Sequence, residues 1–244
     1  MKINKLMQLL KDNARANGPL PLRAEQSQDA VHLYVNDVID ANWGASAQSM
    51  IAALAGQDTG KTLHLHINSP GGDVFEARAM SAAIVAHQGR VVAYIEGVCA
   101  SAATYLALAA NEVRMQEGSL FMIHNSWTLA YGNKAELRDT ANLLEKIDGT
   151  IIADYARKTG ASEEQIVQWM DATTWFTAQE ALDAKFVDAI DANTKSESAQ
   201  AQWNLSAYPN APQVEDKQPQ EDLNEKVKQQ IQLNRNRLRL IAPI

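Results

Sequence analysis

The spacing of apolar residues changes several times along this chain, and each change predicts an element. Val31, Leu33 and Val35 alternate with His32 and Tyr34, and Leu63, Leu65 and Ile67 alternate with His64 and His66. That period of two predicts strands over Val31–Val35 and Thr62–Ile67. Arg90–Ile95, Val113–Met115, Leu120–Ile123 and Phe186–Ile190 are short runs of the same kind. Helices are predicted between them over Ala45–Ala55, Asp73–Gln88 and Ser101–Ala110. Asp73 stands at the N-terminal end of the second, where a carboxylate is favoured. Later, Leu137, Ala141, Leu144, Ile151 and Tyr155 recur at steps of three, four or seven, giving one apolar stripe on a helix over about Lys134–Lys158. Gly160 stops it. Ser162-Glu163-Glu164-Gln165 begins another helix, to about Met170, and Thr177 with Glu180 has the capping-box spacing of a third. Strands alternating with helices predict right-handed crossovers and a largely parallel sheet, an α/β fold.

The pattern weakens at both ends. Residues 1–28 are polar, with Pro19 and Pro21, and read as a short helix followed by a flexible N-terminal segment. Residues 29–191 hold the periodic segments and form the expected domain. Residues 192–222 are rich in Ser, Gln, Asn, Pro and charge, and read as a flexible linker. In the tail, 223–244, Leu223, Val227 and Ile231 are four apart, and Arg235, Arg237 and Arg239 crowd the far end, where cations suit the helix dipole. Such a helix needs a partner surface, so the tail is expected to tether the chain to an assembly partner or to a neighbouring subunit.

Composition narrows the possibilities. The chain has 244 residues, 46% of them hydrophobic, enough for one sizeable domain with an appendage. A net charge of −7 argues against general nucleic-acid binding. Cys99 is the single cysteine, so no intrachain disulfide forms, which fits a reducing cytoplasmic setting. The start lacks the apolar core of a signal peptide. The longest near-apolar stretch, Ala102–Ala110, is too short to span a bilayer, so no membrane association is expected.

The chemistry-bearing residues sit where elements change. Ser101 lies in Gly97-Val98-Cys99-Ala100-Ser101-Ala102-Ala103, where a strand gives way to an Ala-rich helix. His124 ends the run Leu120-Phe121-Met122-Ile123, and Asn68-Ser69-Pro70-Gly71-Gly72 is a tight turn after a strand. Taken singly, each has an ordinary reading: a helix cap, a boundary histidine, a strand-to-helix connection. Together they are a nucleophile, a base and an oxyanion-holding turn, with the amides of Gly72 and Ala102 as donors. The turn is no phosphate loop, since neither the Gly-Lys-Ser/Thr ending nor the dinucleotide-binding glycine pattern is present. His64 and His66 share one strand face, but no carboxylate or cysteine cluster accompanies them, so neither a metal nor another cofactor is expected.

Four segments in order, Ile67–Gly72, Gly97–Ala103, Met122-Ile123-His124 and Phe176-Thr177-Ala178-Gln179-Glu180-Ala181, resemble the Clp protease proteolytic subunit (ClpP) family of serine peptidases from about residue 30 to 190. Gly71-Gly72-Asp73-Val74-Phe75 looks most like bacteriophage relatives described as head-maturation proteases. The resemblance implies a crotonase-like β/α superhelix with an inserted handle helix at Lys134–Lys158. It implies Ser101 as nucleophile, His124 as base, Gly72 and Ala102 as oxyanion hole and Gly71 as a substrate contact. It also implies a polypeptide substrate and a homo-oligomeric ring, with Leu137, Leu144 and Ile151 buried between subunits, and an ATPase unfoldase or capsid and scaffold proteins as partners. One position departs from the family: its triad aspartate, two residues before Phe176, is Thr174 here, and Asp171 lies three residues earlier. Two other readings share the fold: a crotonase-type acyl-CoA hydratase or isomerase, and a phage assembly or scaffolding component of little activity.

Overall fold

In a computed structural model that describes residues 8–9, 12–13, 22–192 and 203–212, the strands join in one eight-stranded sheet. Its main order is β1 (Arg23–Gln26), β2 (Ala30–Val35), β3 (Thr62–Ser69), β4 (Val91–Ala100), β5 (Glu112–Gln116) and β8 (Ala189–Asp191). β1 pairs antiparallel with β2, and the rest of this series is parallel. Parallel pairing needs covered faces, and the apolar set of each strand supplies one. Leu33, Leu65, Ile67, Ala93, Ile95, Val113 and Met115 are all fully buried.

β4 changes partners along its length, and that change positions the site. Val92–Ile95 pair with β5, whereas Val98–Ala100 pair with β6 (Leu120–Ile123). The register with β3 shifts between Ile67 and Ser69 at the same level. β6 in turn pairs antiparallel with β7 (Thr174–Thr177). The far half of β4 therefore leaves the main sheet and ends beside β6, which brings Ser101 and His124, the residues that follow these two strands, to one edge.

The helices start where the sequence offers caps. Ser46 caps α1 (Ala47–Leu54), and Asp73 caps α2 (Val74–Val85) by accepting from the Phe75 and Glu76 amides. The helix expected at Ser101 opens with a 3₁₀ turn, Ser101–Ala103, and continues as α3 (Thr104–Leu108). α4 (Lys134–Thr159) begins with an Asn133–Glu136 capping box and ends at Gly160, whose φ of 73° is a left-handed cap. α5 (Glu163–Asp171) and α6 (Ala178–Asp183) follow, the latter with the expected Thr177–Glu180 box.

On the sheet face opposite the main core, His32, His64 and His66 stack with Tyr34 and Tyr94. The His66 Nδ1 lies 2.7 Å from Glu96 Oε1. Among the described residues no group of three or more His, Cys, Asp or Glu is arranged to hold a metal, and no helix is long and apolar enough to cross a membrane.

Four expectations change. Arg23–Gln26, read as part of a flexible N-terminal segment, is an edge strand; its exposed, polar residues carry no alternation, and pairing with β2 holds it. β7 was not anticipated. The last strand is Ala189–Asp191 rather than Phe186–Ile190, because Phe186 and Val187 turn into the core. The largest change concerns the linker over 192–222. Trp203, Leu205, Ala207 and Tyr208 are buried and join Leu9, Val38, Ala100 and Met122 in a second, smaller core. Reciprocal hydrogen bonds link Asn13 and Asn204. One compact unit accordingly spans Met1–Ala211, past the boundary expected at residue 191. A second unit runs from Pro212 to Ile244, and the helical tail expected at 223–244 lies outside the described residues.

Candidate active site

Ser101 follows the last residue of β4 with a φ of 54°, a left-handed conformation that a non-glycine residue adopts only under constraint. That bend presents its Oγ 2.7 Å from Nε2 of His124, the residue after β6. Pro70-Gly71-Gly72, just beyond β3, wraps beside them. A Cβ on Gly71 would lie 2.4 Å from the Ala100 carbonyl oxygen, and one on Gly72 would lie 2.0 Å from that of Ile39. With φ values of 89° and 148°, both positions demand glycine for conformation as well as space. The Ile39 amide donates to Gly71 O and the Asp73 amide to Ile39 O, which pins the turn to the neighbouring loop.

Ser101, His124, Gly72 and Ala102 all line one cleft of about 220 Å³. Its remaining wall is mostly apolar and comes largely from α4 and the loop before it, including Leu129, Leu143, Leu144, Ile147 and Ile151. Gly71 is not among the lining residues. Its carbonyl accepts from Ile39 and its amide donates to Ser69 Oγ at 3.3 Å, so its backbone is engaged inside the turn rather than turned to the cleft. Cys99, two residues before Ser101, is fully buried, and burial pushes its thiol up, leaving it protonated.

The two candidates for a third triad member are engaged elsewhere. The Thr174 hydroxyl donates to the Trp169 carbonyl at 2.7 Å. The exposed Asp171 carboxylate accepts from Asn125 Nδ2 at 2.7 Å. Ile151, expected between subunits, is buried by its own chain, and Leu144 turns into the cleft, so these two positions of the α4 stripe serve the domain itself.

Behind the Ser–His pair lies a segment that periodicity did not mark. Trp203 Nε1 donates to Asn68 Oδ1 at 2.9 Å, the atom that also accepts the Val98 amide. The Tyr208 hydroxyl donates to Pro70 O at 2.6 Å, and its ring meets His124 edge-on, centroids 5.3 Å apart. Trp175 Nε1 donates to Pro209 O, and Asn210 Nδ2 to Ala172 O. The available signal was alternation: Trp203, Leu205 and Ala207 are apolar at every second position in an otherwise polar run.

The Clp protease family model matches residues 22–194. An ATP-dependent Clp protease proteolytic subunit 2 from Mycolicibacterium paratuberculosis is 31% identical over 144 residues, 58% of this chain and 72% of the relative. A proteolytic subunit 1 from Protochlamydia amoebophila is 28% identical over 66% of this chain and 81% of its own length. One from Bacteroides fragilis is 28% identical over 65% and 77% respectively. A matched span that runs from β1 past β8, and so includes the Ser101–His124 edge, makes this chain a member of the Clp protease family.

Proposed function

We propose that the protein is a serine endopeptidase in which Ser101 and His124 form and hydrolyse an acyl-enzyme. The 2.7 Å contact between Ser101 Oγ and His124 Nε2, at the lip of an apolar cleft, carries this reading. As Oγ attacks the scissile carbonyl carbon, its proton passes to Nε2, and the carbonyl oxygen becomes an oxyanion. The Gly72 and Ala102 amides flank that position, lack internal acceptors among the described residues, and hold the charge. The imidazolium then protonates the leaving amine. Water, deprotonated by the same nitrogen, releases the acyl group. Crotonase-type chemistry has no use for a serine poised on a histidine, so this contact favours the peptidase.

Thr174 and Asp171 are each bonded elsewhere, so the Ser–His pair carries the reading and neither of these two residues is its third member. Full-length protein is expected to be labelled by a fluorophosphonate at Ser101. Ser101→Ala should abolish labelling and His124→Ala nearly so, with non-additive losses, and Asp171→Asn should change turnover less than about threefold. Undiminished labelling of Ser101→Ala would refute the assignment.

A homo-oligomeric ring is supported by the first half of α4, the proposed handle helix. Leu137 and Leu143 are 44% and 54% exposed there, with Leu129 and Tyr131 of the preceding loop 61% and 93% exposed. Leu137→Glu, outside the cleft, should split the assembly in light scattering while sparing the fold. The relatives' names include an ATP-dependent protease, which supports an unfoldase partner. Gly71–Phe75 supports phage head maturation on capsid or scaffold polypeptides. Incubating those proteins with wild type and Ser101→Ala, with and without an ATPase, separates the two. The lone buried cysteine fits a cytoplasmic setting.

A further inference from the structure

The residues beyond β8 return to the catalytic edge. Trp203–Ala211 touches the supports of both candidate catalytic residues and of the oxyanion turn. Trp203 holds Asn68, and through Asn68 Oδ1 the Val98 amide on the strand that delivers Ser101. Tyr208 holds Pro70 O, which fixes the peptide plane leading into Gly71 and Gly72, and packs edge-on against His124. Pro209 and Asn210 accept from and donate to the β7 side. Burial pushes the Tyr208 hydroxyl well up, with the neighbouring Ser101 side chain opposing it, so the hydroxyl stays protonated and donates.

A segment against an active site can block it or brace it. None of the residues lining the cleft belongs to 203–212, and Ala100 and Met122, which pack with the segment, are not lining residues either. The segment therefore backs the site and leaves the cleft open. We propose that Tyr208 is a positioning residue for the peptidase reaction, holding the His124 ring and the Pro70–Gly71 peptide in register in a chain with Thr174 at the position of the family's triad aspartate. This inference rests on the Ser–His reading above. A carboxylate orients imidazole by accepting its Nδ1 proton; an aromatic ring and a fixed turn restrict the same motion by packing. Because Tyr208 does not itself line the cleft but lies against the Ser101 and His124 side chains, its effect belongs in turnover and not in substrate binding.

The test uses the full chain with a fluorogenic peptide and a fluorophosphonate, comparing wild type, Tyr208→Phe and Tyr208→Leu, with thermal melts of each. Tyr208→Phe keeps the ring and loses the hydroxyl's bond to Pro70 O and its contact with the Ser101 side chain; it should melt near wild type, with kcat down about five- to tenfold and KM unchanged. Tyr208→Leu loses the ring as well and should drop kcat about a hundredfold, again at constant KM, because small misplacements of reacting groups have effects of that size. Phe restoring most of the activity lost in Leu would assign the larger share to ring packing. Wild-type kcat in both variants, or a fall in kcat matched by a rise in KM, would overturn the proposal while leaving Ser101 labelling intact. Absence of Ser101 labelling in wild type would overturn it together with the peptidase reading.

Discussion

The two flanks of the Ser101–His124 pair are built on opposite principles. On the cleft side, apolar residues of α4 and the preceding loop face open space, and the Gly72 and Ala102 amides have no internal acceptor among the described residues. On the backing side, Trp203, Leu205, Ala207 and Tyr208 are buried, and the indole and phenol hydrogens both reach acceptors. Unmet donors and exposed apolar surface are unfavourable until something binds, whereas satisfied, close-packed groups resist motion. The difference teaches where each requirement lies: the flank that must receive a substrate is left incomplete, and the flank that must hold geometry is finished.

Substitutions sharpen that contrast in descending order of effect. Gly72→Ala should be the most severe for turnover. Its Cβ would sit 2.0 Å from the Ile39 carbonyl oxygen, so the turn must shift and the proposed oxyanion donor move; kcat should fall about a hundred- to a thousandfold in a peptide assay. Near-normal kcat would mean the turn is not part of the oxyanion site. Trp203→Ala, on the backing side, should reduce unfolding free energy by about 3 kcal/mol through lost packing and the lost hydrogen bond to Asn68, measured by urea denaturation. If stability hardly changes, the second core is not integral to the domain. Leu144→Ala, on the cleft side, should raise KM for an apolar peptide about tenfold with little loss of stability, since it enlarges a pocket already open. A fall in kcat alone would erase the distinction between the flanks.

The smallest effect is a control remote from both flanks. On the histidine face of the sheet, partial burial lowers the pKa of His32 and His64, with repulsion from His66 reinforcing both and Glu25 opposing at His32. Their folded pKa values lie below the unfolded one, so the unfolded chain binds more protons as the medium acidifies. The stability they confer is complete above the unfolded pKa of about 6.5 and declines as pH falls through it. The melting temperature should drop from pH 7.5 to 5.5, and His32→Gln with His64→Gln should flatten that slope without changing kcat at pH 7.5. An unchanged slope would remove these histidines as the source.

Alternation on β2 and β3 and the apolar run of β6 were legible because each strand buries one face or both, and burial writes itself into period. The caps at Asp73, Ser162 and Thr177 lie at changes of element, where backbone donors need oxygen acceptors. Ser101, His124 and the glycine turn were legible through residue type at those junctions. β1 was not, because an exposed edge strand needs only backbone pairing. Trp203–Tyr208 was missed for a different reason. Four apolar residues diluted by Asn, Ser and Pro resemble a linker in composition, and their meaning depends on a distant docking surface made by Val38, Ala100 and Met122. Thr174 was placed at a triad position by the family resemblance, and only three-dimensional bonding reveals that its hydroxyl donates to the Trp169 carbonyl.

The backing segment also sets an order of events during synthesis. Ser101, His124 and the glycine turn leave the ribosome well before Trp203 and Tyr208, so a nascent chain carries the reactive pair for some time without its brace. Until the last part of the domain emerges, Ala100 and Met122 remain uncovered and the pair is unsupported on one side. A peptidase arranged this way matures only after Tyr208 has emerged, and a chain cut at Asp191 would remain permanently at the unfinished stage.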